Sequence, residues 1–244
     1  MALGVGEQPK TQAEALRRAA AGVIDRLPAG WSGELITTPL GSALPTESDG
    51  VLRIVSPSAE PAYLVAEAKL SVAGRDVGQI KAQLNHAVSH FPDGGHEVRA
   101  LVAAPYLSKP VRQRLAEAGL AYADVTGNVQ IELSQPGLFL RDRGADADPW
   151  RGPGRPLGTL KGEPAARVVR ALCDFNKVWT MRELVAESGA STGATYRVVD
   201  YLEREGHVSR DSQRRVQILD WVKQLRAWSA DYSLTGSNRT TRWL

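Results

Sequence analysis

The sequence predicts an α/β layer fold followed by a smaller domain of short helices. Three observations carry this. Over residues 1–140, apolar runs bounded by turn residues alternate with stretches of helical periodicity. Residues 141–162, RDRGADADPWRGPGRPLGTLKG, are rich in Gly, Pro, Arg and Asp and have no periodicity, which marks a linker. From residue 163 the pattern changes to closely spaced amphipathic helices. The expected domains are 1–140, a linker 141–162, and 163–244.

In order, residues 11–27 are Ala-rich, with Leu16, Ala20, Val23 and Leu27 at helical spacing, and Pro28 and Gly30 end this helix. Residues 31–40 predict a short strand and 41–48, GSALPTES, a loop. Val51–Val55 and YLVAEAKL (63–70) predict two strands that can pair as a hairpin through SPSAEP. Residues 75–90 predict a helix with Val77, Ile80, Leu84 and Val88 inward. VRALVAAP (98–105) is a continuous apolar strand of the buried kind. Ser108 caps a helix that ends at Gly119, and 121–133 gives strand, TGN turn and strand.

The chemistry sits in YLVAEAKL. Side chains alternate along a strand, so Glu67 and Lys69 project to one side of an otherwise apolar segment. A charge there is costly unless it is paired or binds an ion. Asp49 opens the preceding strand and can approach both. Two carboxylates beside one lysine can hold a divalent metal next to a phosphodiester; the same tripeptide also fits a solvated strand edge with an i,i+2 charge pair.

This set resembles the PD-(D/E)xK superfamily of restriction-endonuclease-like folds. The resemblance covers roughly residues 11–140. It implies a mixed sheet flanked by helices, with Asp49 and Glu67 as magnesium ligands and Lys69 polarising the attacking water or the phosphate. The Ala68 carbonyl is a further candidate ligand. Ser48 stands where the family name has proline. Gln83 matches the polar residue that the following helix often offers the site, and it equally fits a polar surface face. Glu14 matches an auxiliary acidic position, and a solvated helix charge explains it as well. His86 and His90 are four apart, but no third zinc ligand has usable spacing.

The C-terminal part has its own signature. Residues 163–176 form an amphipathic helix. Thr180 and Glu183 form a capping box, Gly189 turns the chain, and Ser191 caps a third helix. Residues 207–220 predict two short strands. This order resembles a winged helix-turn-helix over about 163–220. The resemblance implies binding to double-stranded DNA, with Thr192, Thr195, Tyr196 and Arg197 facing out from the recognition helix and Arg210, Arg214 and Arg215 on the wing. A protein-binding module is the bland alternative. Trp221, Leu225 and Trp228 on the last helix suit packing or a homodimer contact.

Charge agrees with this division. Residues 1–149 hold 14 Lys and Arg against 17 Asp and Glu, whereas 150–244 hold 16 against 10, so the basic part favours a polyanion. No apolar run approaches the ~18 residues of a membrane span. MALGVGEQPK lacks the pattern of a secretory signal, and Cys173 is the single cysteine, which together suit the cytoplasm. Cys173 lies in an apolar helical pattern as a small core residue. The expectation is a DNA-binding protein that is a magnesium-dependent endonuclease. The alternative is a transcriptional regulator or antitoxin-like protein whose nuclease-like domain serves dimerisation or DNA recognition. Proteins of this layout can also continue beyond such a C-terminus.

Overall fold

The computed structural model describes residues 6–37, 48–92, 94–151, 160–175 and 177–231. The expected loop at 41–47 and the tail beyond 231 lie outside these. The chain divides into two compact units, Met1–Val72 with Asp76–Gly152, and Pro153–Leu244 with Ala73–Arg75.

The first unit is built on seven strands, β1 (Ser32–Ile36), β2 (Gly50–Val55), β3 (Pro61–Ala68), β4 (Val98–Ala104), β5 (Ala121–Asp124), β6 (Val129–Leu133) and β7 (Leu138–Asp142), adjacent in chain order. β1–β2–β3 is an antiparallel meander, β3, β4 and β5 run parallel, and β6 and β7 are antiparallel. Helices α1 (Gln12–Ile24), α2 (Val77–Ser89) and α3 (Lys109–Glu117) flank it. This is a seven-stranded mixed sheet flanked by helices.

Alternation along the strands creates two cores. Leu52, Ile54, Leu64, Ala66 and Leu101 face α1, whose Leu16, Ala20 and Val23 cover them. Val51, Val65, Val102 and Tyr122 face α2 and α3 through Ile80, Leu84, Val111 and Leu115. Strands β2, β3 and β4 are thus covered on both faces, which is why they read as apolar runs. Leu64 is fully buried; truncating such a residue to alanine costs about 2–5 kcal/mol.

Residues 141–151 correct the linker expectation. Leu138 and Leu140 face the α1 core, so β7 extends the sheet to Asp142. The chain then folds back. Gly144 N–H donates to Asn128 Oδ1 at 3.0 Å, Asn128 Nδ2 donates to the Ala145 carbonyl, and Trp150 Nε1 donates to the Gly6 carbonyl at 2.7 Å. A Cβ at Gly144 would collide with the Thr126 carbonyl, so glycine permits this docking. Turn-rich composition misled here because these backbone bonds need no periodicity.

The second unit contains α4 (Glu163–Asp174), α5 (Met181–Ser188), α6 (Thr192–Arg204), a hairpin of β8 (Val208–Arg210) and β9 (Val216–Ile218), and α7 (Trp221–Asp231). Trp179, between α4 and α5, makes an antiparallel bridge to Val216 and adds a third segment to the hairpin. Thr180 and Glu183 form the complete capping box of α5. Trp179, Leu184, Val199, Leu202 and Val216 are among its core. Among the described residues, no helix is long and apolar enough to cross a membrane.

Candidate functional sites

The end of β3 gathers Asp49, Glu67 and Lys69. Gly50 pairs with Ala66, and the Asp49 N–H donates to the Ala66 carbonyl at 3.0 Å. β2 begins at Gly50, so the Ala68 N–H lacks a strand partner there. The Asp49 carboxylate supplies one, accepting from it through Oδ2 at 2.8 Å. Ala68 lies between Glu67 and Lys69, so this bond ties the Asp49 carboxylate to the backbone between them. Gly50 permits the crowding, since a Cβ would sit 3.0 Å from the Ile36 carbonyl oxygen and 3.1 Å from Leu16.

Glu67 is only 4 % exposed. Its burial is tolerated because Lys69 Nζ donates to Oε1 at 2.5 Å from two residues along the same strand side. The Lys69 N–H continues the ladder to the Ala103 carbonyl at 2.9 Å, which fixes the backbone behind the ammonium. Gln83 is half-buried on α2, the helix packed on β3 and β4. Glu14 accepts from the Lys10 N–H at 3.0 Å and lies near Arg18, so it serves the start of α1. The His86 and His90 rings meet at a tilt of 54°, with centroids 4.2 Å apart. Among the described residues, no group of three His, Cys, Asp or Glu side chains could hold a metal. Asp49 and Glu67 supply two carboxylates, a donor set that fits magnesium, which commonly takes one or two carboxylates and completes its shell with water and phosphate.

A second polar cluster lies at the same sheet end, on the loop after β5, and was not anticipated from the sequence. Asp124 is 2 % exposed and accepts from the Leu107, Thr126 and Asn128 N–H groups, the Thr126 hydroxyl and Asn128 Nδ2. Asn128 Oδ1 in turn accepts from Arg112. The signal was the Asp three residues before the Gly of the turn, which can fold a loop around its own carboxylate. On the opposite face Arg26 donates to Asp142 at 2.7 Å; with a second bond from the Arg143 N–H, this holds the Asp142 carboxyl below its usual range.

In the second unit, the start of α6 exposes Thr192, Tyr196 and Arg197. Thr195 does not join them. It is fully buried and its hydroxyl donates to the Ser191 carbonyl at 3.1 Å. Thr195 falls on the inner stripe Ala194, Thr195, Val198, Val199 and Leu202, spaced by three and four residues. Arg210 also departs from expectation. Its side chain is 13 % exposed and donates to Asp200 at 2.6 Å and Glu203 at 2.7 Å, clamping β8 to α6 rather than facing out. Arg215 lies beside the turn and donates to Asp211 at 2.7 Å. Backbone donation from Arg215 is the main reason the Asp211 carboxyl sits below its usual range. Arg214 is exposed, at φ 59°, in the left-handed region.

No family model matches the chain, and no curated protein matches it. Among solved structures it is similar to EndoMS in its apo form, at 16% identity and TM-score 0.28, over 48% of this chain and 47% of that one. It is also similar to a repair endonuclease from Pyrococcus abyssi, at 16% identity and TM-score 0.29, over 49% of each chain. The match spans about half the length of each of those structures.

Proposed function

We propose that the chain binds double-stranded DNA through its second unit and hydrolyses a phosphodiester with its first. The observation that supports the catalytic part is the Asp49–Ala68 hydrogen bond, which ties the Asp49 carboxylate to the backbone between Glu67 and Lys69. Asp49 and Glu67 would hold magnesium, which supplies a Lewis acid and an activated water when bound. Lys69 would move its ammonium from Glu67 to the phosphate as charge develops there, since an ammonium is a flexible point donor. Gln83 would orient water or phosphate from α2.

The second unit fits a winged helix. Helix, bridge at Trp179, two helices and hairpin follow in that order, and α6 would be the recognition helix. Thr192, Tyr196 and Arg197 would meet base edges, while Arg214 and Arg215 would meet the backbone. One observation favours the alternative of a non-catalytic, homodimeric regulator: Lys69 is already committed to a closed pair with a buried carboxylate, as a structural pair would be. Incubation of purified protein with supercoiled plasmid and Mg²⁺ or Mn²⁺ separates the two. Nicking abolished by Asp49→Asn, with that variant still folded, supports the nuclease; equal nicking by that variant refutes it.

A further inference from the structure

The register of the first unit carries one residue row across five strands. Glu67 pairs with Val102, Val102 with Tyr122, Tyr122 with Gln130, and Gln130 with Arg141. Val102 and Tyr122 belong to the core under α2 and α3, so the row lies on that face. At ~4.8 Å per strand, Arg141 lies roughly 19 Å from Glu67 along the sheet. The parallel row Ala68, Ala103, Ala123, Val129 and Asp142 sits on the other face, where Arg26 takes Asp142.

A cleft of about 330 Å³ opens at the Arg141 end of the row, between α3 and β6–β7. Lys109, Arg112, Arg141 and Arg143 line it, as do Tyr122 and Gln130. Three carboxylates also line it, but Asp142 is already paired with Arg26. Lys109, Arg141 and Arg143 are exposed. Arg112 is held by Asn128, and among the described residues its Nε has no hydrogen-bond partner. Exposed guanidinium groups that converge on a polar cleft suit phosphate, which they can contact through paired N–H donors.

We propose that this cleft grips the backbone of a DNA duplex at a point about 19 Å from the Glu67–Lys69 site. At ~3.4 Å of rise per base pair, the separation corresponds to roughly five or six base pairs. The inference rests on the proposed action on DNA, but it names a surface independent of the catalytic carboxylates. Removing one phosphate-binding cation lowers the salt dependence of binding by about one.

The test uses the full chain and a labelled duplex of about two helical turns, titrated by fluorescence anisotropy without divalent metal at several salt concentrations. The double variant Arg141→Gln/Arg143→Gln should lower the slope of log affinity against log salt by about two. Arg17→Gln, on the exposed side of α1, is the control for loss of surface charge and should change it little. Equal slopes for the double variant and the control overturn the proposal, as does a wild-type chain that fails to bind the duplex. The same proteins, together with Asp49→Asn, are assayed for nicking with Mg²⁺. A slope drop without any nicking supports the cleft and removes the nuclease reading; nicking that depends on Asp49, with an unchanged slope, does the reverse.

Discussion

Lys69→Met tests how much the first unit depends on its buried charge. The substitution keeps an unbranched side chain out to Cε and removes the ammonium 2.5 Å from Glu67 Oε1. Glu67 remains 4 % exposed. Breaking a buried pair by removing one partner costs about 3–5 kcal/mol. The Lys69 side chain is 33 % exposed, so water reaches this pair from one side and the expected loss is about 2–3 kcal/mol. For a domain of this size, each kcal/mol moves the melting midpoint by about 2–4 °C, so Lys69→Met should melt roughly 4–12 °C lower. The double variant Glu67→Gln/Lys69→Met removes both charges and should recover most of the loss. Manganese should also recover it, by about 2.7 kcal/mol at a hundredfold excess over its dissociation constant, if Asp49 and Glu67 hold the ion. Asp49→Asn in the same background should abolish that recovery. Thermal melts with and without metal read all four proteins. If Lys69→Met melts with the wild type, Glu67 stays buried without needing Lys69 and the pair is not what stabilises it. If the loss appears but metal never restores it, the pair is structural only.

Three further outcomes follow from the second unit. Arg210→Ala should free β8 from α6 by removing the partner of the half-buried Glu203 and of the exposed Asp200, costing about 1 kcal/mol, and should speed amide exchange over 208–218; unchanged exchange would remove the clamp. Arg197→Ala should relax preference at one base position by about 1–3 kcal/mol, whereas Arg214→Ala should weaken all sequences alike and lower the salt slope by about one; titrations on a selected and a scrambled site distinguish them, and equal losses for Arg197→Ala would mean that it only anchors. The Thr180 N–H and hydroxyl hold the Glu183 carboxyl below its ordinary range. A carboxyl depressed on folding stabilises above its unfolded pKa, and the contribution is lost as pH falls through the folded pKa. The start of α5 should therefore loosen at acid pH, and Thr180→Ala should shrink that dependence; carboxyl and amide shifts followed by NMR provide the check.

Local pattern was enough for the layers. The period of two in YLVAEAKL put Glu67 and Lys69 on one side, the apolar run at 51–55 announced a strand, and that at 98–105 announced one of the buried kind. Helical spacing and capping residues announced α1 to α6, because they are properties of neighbours along the chain. Partner choice was not legible in the same way. Thr195 looks outward by type, yet it falls on the stripe that α6 buries. Arg210 looks like a wing residue facing DNA, yet α6 brings Asp200 and Glu203 to it from a different element. β7 hides in a turn-rich stretch because its backbone bonds to β6 require no particular side chains. Asp49 could be placed near β3 by hairpin logic, but its bond to the Ala68 N–H depends on where β2 begins. The row from Glu67 to Arg141 exists only once register aligns five strands. Periodicity is set by each residue's own backbone, and the sequence determined that much; which charges meet is set by register and packing across the sheet, and only the tertiary structure decided it.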